Sequence, residues 1–505
     1  MRLLGIDIGT SGTKTVLFDE QGQVLAAYTG EYPLSQPQNG WAEQDPEDWW
    51  RAACDGVRAV LAKAPPSRGE RIAVGLSGQM HGLVLLDRKG QVLRPAILWC
   101  DQRTGAEAER MKQLVGERRL IDISANPAMT GFTAAKILWV QAHEPELYAR
   151  CAHILLPKDY IRYRLTGEFA TEVSDASGMQ LMDIGGRCWS PELLQAFGID
   201  RSLLPQLYES PELTGTVHAA AAAETGLPVG TPVAAGAGDN AAAAVGTGIV
   251  RQGCAFNTIG TSAVIYAVTD TLRLDPAGRV HSLCASVPGK WTVMSCTQSA
   301  GLSLKWLRDT CCAAEVARAD AAGVDPYRLM DEEAAQVPPG ADKLLFLPYL
   351  MGERSPHPDP DCRGVFFGLS ARHTRAHLIR AVLEGVAYSQ RECLDVFREM
   401  GVPVTQMTLC GGGGRSPLWR QMLADLYGCP VNTLQADEGG ALGAALLAGV
   451  GAGAYTSVEQ ACDAVVRTRA PQQPSAQAEA YAPYYALYTR LYAALKTEFA
   501  ALRSI

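Results

Sequence analysis

The sequence has none of the short cysteine spacings that build metal sites or disulfide frameworks. Fourteen cysteines are spread over the 505 residues, but no Cys-x-x-Cys pair occurs, and only Cys311 and Cys312 are adjacent. Structural zinc sites and oxidised frameworks usually show short, repeated spacings. We therefore expect reduced thiols, which are typical of cytosolic proteins.

An excess of positive charge is also missing. Lys and Arg together number 45 against 53 Asp and Glu, which gives a net charge of -8 at pH 7. An acidic surface repels phosphate backbones, so nucleic acid is excluded as the expected partner.

No segment is long and apolar enough to predict a membrane span. Residues 231–250 are interrupted by Asp239 and Asn240, and residues 439–453 are too short and too rich in Gly to cross about 30 Å of hydrocarbon. The N-terminal segment reaches a charge at Asp7, before a secretory signal could form its apolar core. The sequence therefore predicts a cytoplasmic protein with no membrane partner.

Three well-known ligand motifs are absent as well. There is no Walker A loop, and the glycine run that starts at Gly411 does not fit Gly-x-Gly-x-x-Gly because Ser416 occupies the sixth position. His373 and His377 are four residues apart, but no His-Glu-x-x-His occurs, so no metal is predicted there.

What the chain does have is length and an internal repeat. A chain of 505 residues exceeds one ordinary core and suggests two domains of about 250 residues each. The apolar residues 3–8 lead into the turn Gly9–Thr13 and a second strand at 14–18. The same strand–turn–strand pattern recurs half a chain later, where residues 255–259 lead into the turn Gly260-Thr261-Ser262 and a second strand at 263–268. The repeat predicts a duplication, with an α/β domain in each half, residues 1–247 and 248–505.

Each repeated turn has two interpretations. Glycines allow close backbone approach, and the N–H groups and hydroxyls of Gly9, Thr10, Ser11 and Thr13 could bind a phosphate, with Asp7 holding Mg²⁺ through water. The alternative is a tight hairpin in which Gly serves only the turn geometry. The acid at the end of a buried strand favours the functional interpretation, because an unpaired carboxylate there is costly.

Asp239 is the most informative acid in the sequence. It lies in Gly238-Asp239-Asn240, between a small apolar segment and the apolar residues 241–245. Either Asp239 or Asn240 could simply cap a helix. Alternatively, Asp239 is a general base that reaches a substrate hydroxyl near the junction of the two halves. In phosphoryl transfer such a base needs little strength, because positioning and charge neutralisation dominate.

Two further segments carry candidate binding residues. Met80 and His81 lie on a glycine-flanked loop between strands, where His81 could bind polyol hydroxyls or could be a structural histidine. The run Gly411–Gly414 follows an apolar strand and precedes the helix that begins at Ser416-Pro417. Glycines there could admit a flat ring or a phosphate against the backbone, and the alternative is a flexible linker.

Together these residues resemble the FGGY carbohydrate kinases over nearly the whole chain. Gly131-x-Thr133-x-x-Lys136-Ile137-x-Trp139-Val140 is similar to the family's first signature. Gly364-x-Phe366-x-Gly368-Leu369, with His377-Leu378-x-x-Ala381-Val382-Leu383-Glu384, is similar to the second. The segments at Ser77–Gly82, Leu156–Tyr160 and Gly238–Asn240 are similar to those of the members that phosphorylate D-xylulose.

The resemblance implies two actin-like (ribonuclease H-like) domains around a deep cleft, and ATP-dependent phosphorylation of D-xylulose at its 5-hydroxyl. It implies that Asp239 is the catalytic base and that Asp7 binds Mg²⁺ through water. The sugar would contact Met80, His81, Asp239 and Asn240. ATP would contact Gly9, Thr10, Ser11, Thr13, Gly260, Thr261, Ser262, Gly301, Lys305, Gly412, Gly413 and Ser416. A homodimer is possible, since relatives are often dimers.

Two other functions remain open at this point. The chain could be a sister FGGY kinase for another ketose, polyol or aldonate, because pocket walls change with few substitutions. A non-enzymatic, actin-like ATPase scaffold shares the duplicated phosphate hairpins, but it has no need for Gly238-Asp239-Asn240 and Met80-His81 in one cleft.

Overall fold

A computed structural model describes residues 1–436 and 438–505. The first half of the chain alternates strands and helices. Its strands are β1 (Arg2–Ile8), β2 (Gly12–Phe18), β3 (Val24–Glu31), β4 (Glu43–Gln44), β5 (Ile72–Gly78), β6 (Val84–Leu86), β7 (Ala96–Ile97), β8 (His153–Leu155), β9 (Ala170–Glu172), β10 (Met182–Asp183), β11 (Cys188–Trp189), β12 (Gln206–Tyr208), β13 (Leu213–Thr216), β14 (Pro232–Ala234) and β15 (Ala237–Gly238). Its helices are α1 (Pro46–Lys63), α2 (Gly105–Val115), α3 (Glu117–Ser124), α4 (Thr133–His143), α5 (Pro145–Tyr148), α6 (Pro157–Thr166), α7 (Val173–Ala176), α8 (Pro191–Phe197), α9 (Ala219–Thr225) and α10 (Asp239–Gly246).

The second half has the same mixture. Its strands are β16 (Gly253–Ile259), β17 (Ala263–Thr269), β18 (His281–Cys284), β19 (Trp291–Thr297), β20 (Leu345–Leu347), β21 (Val365–Phe367), β22 (Val404–Cys410) and β23 (Val431–Thr433). Its helices are α11 (Gly301–Cys311), α12 (Ala313–Ala322), α13 (Pro326–Ala334), α14 (Arg375–Glu399), α15 (Pro417–Tyr427), α16 (Gly439–Gly451), α17 (Val458–Val465) and α18 (Ala478–Arg503).

The two main sheets share one arrangement around a central strand. In the first sheet, with the order β13-β14-β5-β1-β2-β3, β1 pairs antiparallel with β2 and parallel with β5. In the second sheet, with the order β18-β19-β17-β16-β22-β23, β16 pairs antiparallel with β17 and parallel with β22. Each predicted hairpin is therefore present and occupies the same place in its sheet. This matches the duplication that the sequence predicts.

Local sequence explains where key helices begin. Asp45 caps α1 by accepting a hydrogen bond from the Glu47 N–H, and a proline occupies the first helical position. Ser416 caps α15 in the same way through the Trp419 N–H, and α15 ends before Gly428, which has a left-handed backbone. Helix α15 therefore begins where the sequence predicts it, at Ser416-Pro417.

Helix α16 connects the two halves. It comes from the second half of the sequence, yet Ala441, Leu442 and Ala445 pack in one buried cluster with Leu3 and Val16 of the first sheet. The close contact depends on small residues, because a Cβ at Gly443 would lie 1.8 Å from the Ala242 carbonyl oxygen of α10. The linear boundary at residues 247 and 248 remains a prediction, and α16 packs across it.

The other expectations for the chain concern cysteines and membrane segments. Cys311 and Cys312 are both free thiols. Within residues 1–436 and 438–505, no helix combines the length and the apolar character needed to cross a bilayer.

Candidate active site

The two predicted functional acids lie where neighbouring parallel strands end. Asp7 is next to last in β1 and stands opposite Ser77 of β5, which in turn stands opposite Ala237 of β15. Asp239 follows β15 and begins α10. Because parallel strands bring their carboxyl ends to one edge of the sheet, residues far apart in sequence meet there. The negative charge of Asp7 is close enough to raise the pKa of Asp239.

Asp7 has one side-chain donor, and Gly440 lies close to its other oxygen. The Ser77 hydroxyl donates to Asp7 Oδ1 at 2.7 Å. A Cβ built on Gly440 would lie 2.8 Å from Asp7 Oδ2, so the missing side chain at the start of α16 leaves room at that oxygen. Burial raises the pKa of Asp7, against the opposing effects of Ser77 and the Lys14 charge.

The Asp239 carboxylate does not cap its helix, which rules out the capping alternative for this residue. The N-cap position of α10 belongs to Gly238, and no side chain makes a capping hydrogen bond. Instead, Asp239 Oδ1 accepts two bonds from Asn240, one from its backbone N–H at 2.6 Å and one from its side-chain amide at 2.9 Å. Burial, together with the Asp7 charge, raises the pKa of Asp239 to about 7. A carboxylate with this pKa is half ionised near neutral pH, which suits a general base.

Met80 lies directly beside the segment that carries this acid. The Asn240 side-chain amide approaches Met80 Sδ at 3.9 Å, and Met80 packs with Phe256, Tyr266 and Met294 of the second sheet. Met80 is therefore at the contact between the two halves.

His81 is held in a left-handed backbone conformation with φ 66°. Its Nδ1 is 3.2 Å from the Gly178 carbonyl oxygen, and its ring is 4.3 Å from the ring of Phe132. Burial lowers the pKa of His81 well below its ordinary value, with further contributions from the charges of Lys136, His281 and Arg354. The neutral imidazole can donate or accept a hydrogen bond without carrying charge into the site.

Lys136, part of the first signature, supports the His81 backbone. Its ammonium group donates to the carbonyl oxygens of His81 at 2.8 Å and Gly131 at 2.6 Å. Thr133 donates to the same His81 carbonyl oxygen at 3.1 Å. Burial lowers the pKa of Lys136 to about 7. The signature residues therefore fix the loop that carries His81.

The first hairpin is braced by side chains from outside it. The Thr10 hydroxyl donates to Gln79 Oε1 at 3.2 Å and accepts a bond from the Trp99 indole N–H at 3.0 Å. Thr13 is fully buried and its hydroxyl lies 3.3 Å from the Tyr32 hydroxyl, which donates to the Gly9 carbonyl oxygen at 2.6 Å.

Of the predicted phosphate-binding residues in this hairpin, Ser11 alone is classed as exposed; Gly9 and Thr10 are half-buried. The phosphate contacts of the hairpin remain a prediction.

The second hairpin meets the start of α11. The Gly301 N–H donates to the Gly260 carbonyl oxygen at 2.8 Å, and the Leu302 N–H donates to that of Thr261 at 3.1 Å. A Cβ on Gly301 would lie 2.4 Å from the Gly260 oxygen, so only glycine fits at this position. Ser262 is half-buried at the end of the turn. Lys305, one turn further along α11, forms a 2.5 Å ion pair with Asp309 on the exposed side of the helix.

The glycine run is folded rather than a flexible linker. Gly412–Arg415 forms a short 3-10 turn, and a Cβ on Gly413 would lie 2.6 Å from the Ile259 side chain. Gly412 has open space around its Cα, and Ser416 follows as the cap of α15. The run therefore lies against the end of β16, next to the second hairpin. The structure brings Gly260, Gly301 and Gly413 into one neighbourhood, and their contacts with a nucleotide remain a prediction.

Arg354 is a cleft residue that sequence reasoning missed. It belongs to the second half, but its positive charge helps to lower the pKa of both His81 and His281. The adjacent Ser355 N–H donates to the Cys296 carbonyl oxygen at 3.1 Å, which fixes the loop against β19. No local pattern marks Arg354, because its approach to His81 depends on how the two halves pack.

A separate cavity of about 610 Å³ lies away from these residues. It is lined by Asp45, Glu47, residues 90–95, Tyr160, Tyr163 and Arg164. None of the predicted sugar or nucleotide residues lines it. Asp7 and Asp239 converge elsewhere, where β1 and β15 end, with Met80 beside Asn240.

Family models match both halves of the chain. Residues 2–246 match the N-terminal domain of the FGGY family of carbohydrate kinases, and residues 255–452 match its C-terminal domain. The chain belongs to the FGGY family of carbohydrate kinases. The sequence-based family assignment is thereby confirmed.

Individual FGGY relatives cover nearly the whole chain. The xylulose kinase of Escherichia coli K12 is 44% identical over 450 residues, which are 89% of this chain and 90% of that protein. The gluconokinase of Bacillus subtilis 168 is 33% identical over 468 residues, 92% of this chain and 90% of that protein. The crystal structure of xylulose kinase from Rhodospirillum rubrum gives a TM-score of 0.91 at 33% identity, with 99% of this chain and 100% of that chain covered. The expected α/β fold with two actin-like domains is confirmed.

The FGGY family implies ATP as a substrate and Mg²⁺ as its companion, and the residues present fit the metal. Asp7 supplies a carboxylate oxygen with space beside it at Gly440. Within residues 1–436 and 438–505, no group of three or more His, Cys, Asp or Glu forms a metal cage. Mg²⁺ is usually held by one or two carboxylates together with water and substrate phosphates, so a single acid is a suitable anchor.

Proposed function

We propose that this FGGY kinase transfers the γ-phosphoryl group of ATP to the 5-hydroxyl of D-xylulose, with Asp239 as the general base. The xylulose kinases of Escherichia coli and Rhodospirillum rubrum, which align over almost the full chain, support the choice of sugar. The placement of Asp239 supports the choice of base.

The observation that carries the chemistry is the asymmetric hydrogen bonding of the Asp239 carboxylate. Both donors from Asn240 bind Oδ1. Among the described residues, no side chain or backbone group donates to Oδ2, and Asp239 as a whole is half-buried. Oδ2 is therefore free to accept the proton of a substrate hydroxyl, while Asn240 fixes the orientation of the carboxylate.

The proposed reaction follows from this arrangement. The sugar lies against Met80, His81 and Asn240, and its 5-hydroxyl donates to Asp239 Oδ2. As the hydroxyl oxygen bonds to the γ-phosphorus, its proton passes to Asp239 and the bond from phosphorus to the bridging oxygen of ADP breaks. Asp239 gains the proton, D-xylulose 5-phosphate forms, and ADP leaves. Phosphoryl transfer depends mainly on positioning and charge neutralisation, so a base with a pKa near 7 is sufficient.

The phosphates of ATP would lie between the two hairpins. Backbone N–H groups and hydroxyls of Gly9–Thr13 and Gly260–Ser262 bind them, and Gly412, Gly413 and Ser416 flank the nucleoside. Asp7 would hold Mg²⁺ through water, and the metal would supply positive charge to neutralise the phosphates. A net acidic protein can bind a polyanion in this way because amides and hydroxyls, rather than a basic surface, make the contacts.

An assay of ADP release over a panel of D-xylulose, D-ribulose, glycerol and gluconate tests the substrate directly. We expect the highest kcat/KM on D-xylulose. A higher kcat/KM on another compound of the panel would make that compound, rather than D-xylulose, the assigned substrate. Nucleotide-dependent assembly without sugar-stimulated turnover would favour the scaffold function instead.

Gluconate is the competing substrate with a specific observation behind it. The gluconokinase of Bacillus subtilis is 33% identical over most of this chain, so sequences this similar serve enzymes named for a neutral ketose and for a charged aldonate. The pocket beside Met80 must therefore decide between them. We favour xylulose because the relatives named xylulose kinase reach higher identity.

Two further properties belong to the proposal. A kinase for a free sugar works where ATP is made and used, so we infer a cytoplasmic location. The possible homodimer is tested by the mass of the protein in solution, measured by light scattering.

A further inference from the structure

We infer that a buried ion network beneath the active site, centred on Lys158 and Glu172, positions the segment that carries Asp239. This inference rests on the proposed role of Asp239 as the base. The network consists of Lys158, Asp159, Arg162, Glu172 and Asp175, and the side chains of all five are 0% exposed.

Lys158 is at the centre of the network. Its ammonium group lies 2.8 Å from Asp159 Oδ1, 3.2 Å from Asp175 Oδ2 and 3.4 Å from Glu172 Oε1. Arg162 pairs with the same Asp159 oxygen at 2.7 Å. Two buried cations thus face three buried acids.

The charges in this network come close to balance. Burial raises the pKa of Asp175 well above its ordinary value, and the charges of Asp159 and Glu172 add to the increase. Burial would also raise the pKa of Asp159, but Lys158 and Arg162 outweigh it and lower that pKa. Burial therefore favours the neutral form of Asp175, the direction that reduces the imbalance between two cations and three acids.

Two chains of hydrogen bonds lead from the network to the segment before Asp239. Arg162 donates to the Ala235 carbonyl oxygen at 2.6 Å. Glu172 Oε1 accepts a bond from the Ser174 hydroxyl at 3.0 Å, and Ser174 Oγ accepts one from the Gly238 N–H at 3.3 Å. Because the Ser174 hydroxyl donates its hydrogen to Glu172, its oxygen acts only as an acceptor towards the Gly238 N–H.

A purely structural role explains this arrangement poorly. Buried ion pairs are weak contributors to stability, because desolvation cancels much of their attraction, and a packed apolar cluster would do as well. What an ionic network adds is a fixed geometry, and two of its connections end on residues one and four positions before Asp239. A shift of about 1 Å in a reacting group can cost ~100-fold in rate, so such support has a catalytic value.

The structure offers a matched pair of variants. Ser174→Ala and Ser210→Ala each remove one hydroxyl that donates to Glu172, at 3.0 Å and 2.9 Å, and both serines are buried. Only the Ser174 hydroxyl also accepts a hydrogen bond from the segment before Asp239, at Gly238. Ser210 contacts that segment through its backbone carbonyl oxygen, and this contact remains in Ser210→Ala. The two variants therefore separate loss of a Glu172 donor from loss of the link to Asp239.

The test combines kinetics with amide hydrogen exchange on the full chain. For Ser174→Ala we expect kcat to fall about tenfold, with KM for ATP unchanged, since one lost bond moves the base by less than 1 Å. Exchange in the peptide that covers residues 235–240 should become faster. Ser210→Ala should keep kcat within about twofold and leave that exchange unchanged. Ser174→Thr, which retains the hydroxyl, should restore most of the lost kcat.

Three outcomes would overturn the inference: equal effects of Ser174→Ala and Ser210→Ala, no change in exchange at residues 235–240, or no recovery in Ser174→Thr. If Ser174→Ala does not fold, Ser174→Cys replaces it with the same expectations, because sulfur is a weaker acceptor. If the parent protein phosphorylates no sugar, the proposed function fails, whereas the exchange measurements still decide whether Ser174 holds Gly238.

Discussion

Asn240 donates two hydrogen bonds to the same oxygen of Asp239, one from its backbone and one from its side chain. Both bonds favour the ionised carboxylate and so oppose the rise in pKa that burial and the Asp7 charge produce. The result is a carboxylate whose pKa is about 7 and whose Oδ2 receives no hydrogen bond from the described residues. The pKa of Asp239 therefore reflects opposite effects: the neighbouring Asn240 lowers it, whereas burial and the Asp7 charge raise it.

Asp239→Asn keeps the shape of the side chain and removes its ability to accept the proton. We expect kcat for D-xylulose to fall by about 10²–10⁴-fold, the usual contribution of a general base. Binding of a non-hydrolysable ATP analogue, measured by calorimetry, should stay within about twofold of the parent, because Asp239 lies on the sugar side. Turnover at the parent rate would show that Asp239 is not the base.

Asn240→Ala removes the side-chain donor to Asp239 and leaves the backbone donor in place. The pKa of Asp239 should rise, because the ionised form loses a stabilising bond. The active form of the base is deprotonated, so activity falls as pH drops through this pKa, and the acid limb of kcat/KM should move to higher pH. Initial rates at low sugar concentration between pH 5 and 9 measure the limb.

Met80→Leu serves as the control for that shift. It loses the contact between Met80 and the Asn240 amide but keeps the donors to Asp239. KM for the sugar should change, and the acid limb should stay where it is in the parent. A limb that moves equally in both variants would assign the shift to pocket repacking instead.

Gly301→Ala should disturb the start of α11. The new Cβ would lie 2.4 Å from the Gly260 carbonyl oxygen, so the helix must move away from the second hairpin. We expect a lower Tm and a KM for ATP raised about tenfold, with the KM for D-xylulose affected less. Thermal unfolding and steady-state kinetics with each substrate varied measure both effects.

Gly105→Ala is the matched control, because Gly105 is also the first residue of a helix but has open space around its Cα. Alanine there should be neutral or stabilise the protein by up to about 1 kcal/mol. If both glycine variants raise the KM for ATP equally, the contact between Gly301 and Gly260 does not explain the increase.

Glu353→Gln should change how stability depends on pH. Burial raises the pKa of Glu353 to about 8 from 4.5, although the backbone N–H groups of Arg354 and Gln298 oppose the increase. Between these values the folded protein holds a proton that the unfolded chain has released, so the free energy of unfolding falls as pH rises. Glutamine does not titrate. In the variant the free energy of unfolding should therefore fall less steeply with pH, by up to ~1.4 kcal/mol per pH unit.

Urea unfolding at several pH values between 4.5 and 8 measures the slope. Glu332→Gln, at an exposed helix position, should keep the slope of the parent. An unchanged slope in Glu353→Gln would mean that Glu353 is ionised in the folded protein.

Much of this protein follows from sequence alone. The hairpins at Gly9 and Gly260 are predictable, because glycines and hydroxyl residues between apolar runs specify a turn locally. The beginning of α1 at Asp45-Pro46 and of α15 at Ser416-Pro417 follows from capping chemistry. The family follows from long signatures, and with it the choice of Asp239.

Tertiary structure decided what local patterns cannot encode. Asp7 and Asp239 are far apart in sequence and meet only because the parallel strands β1, β5 and β15 end at the same edge of a mixed sheet. The Arg354 charge reaches His81 across the contact of the two halves, and Lys158 pairs with its neighbour Asp159 and with Glu172 and Asp175 from a second segment. The pKa of Asp239 depends on burial and on the distance to another charge, which are properties of the folded protein rather than of any segment. The sequence therefore determined which residues are candidates for the active site, and packing determined which of them interact.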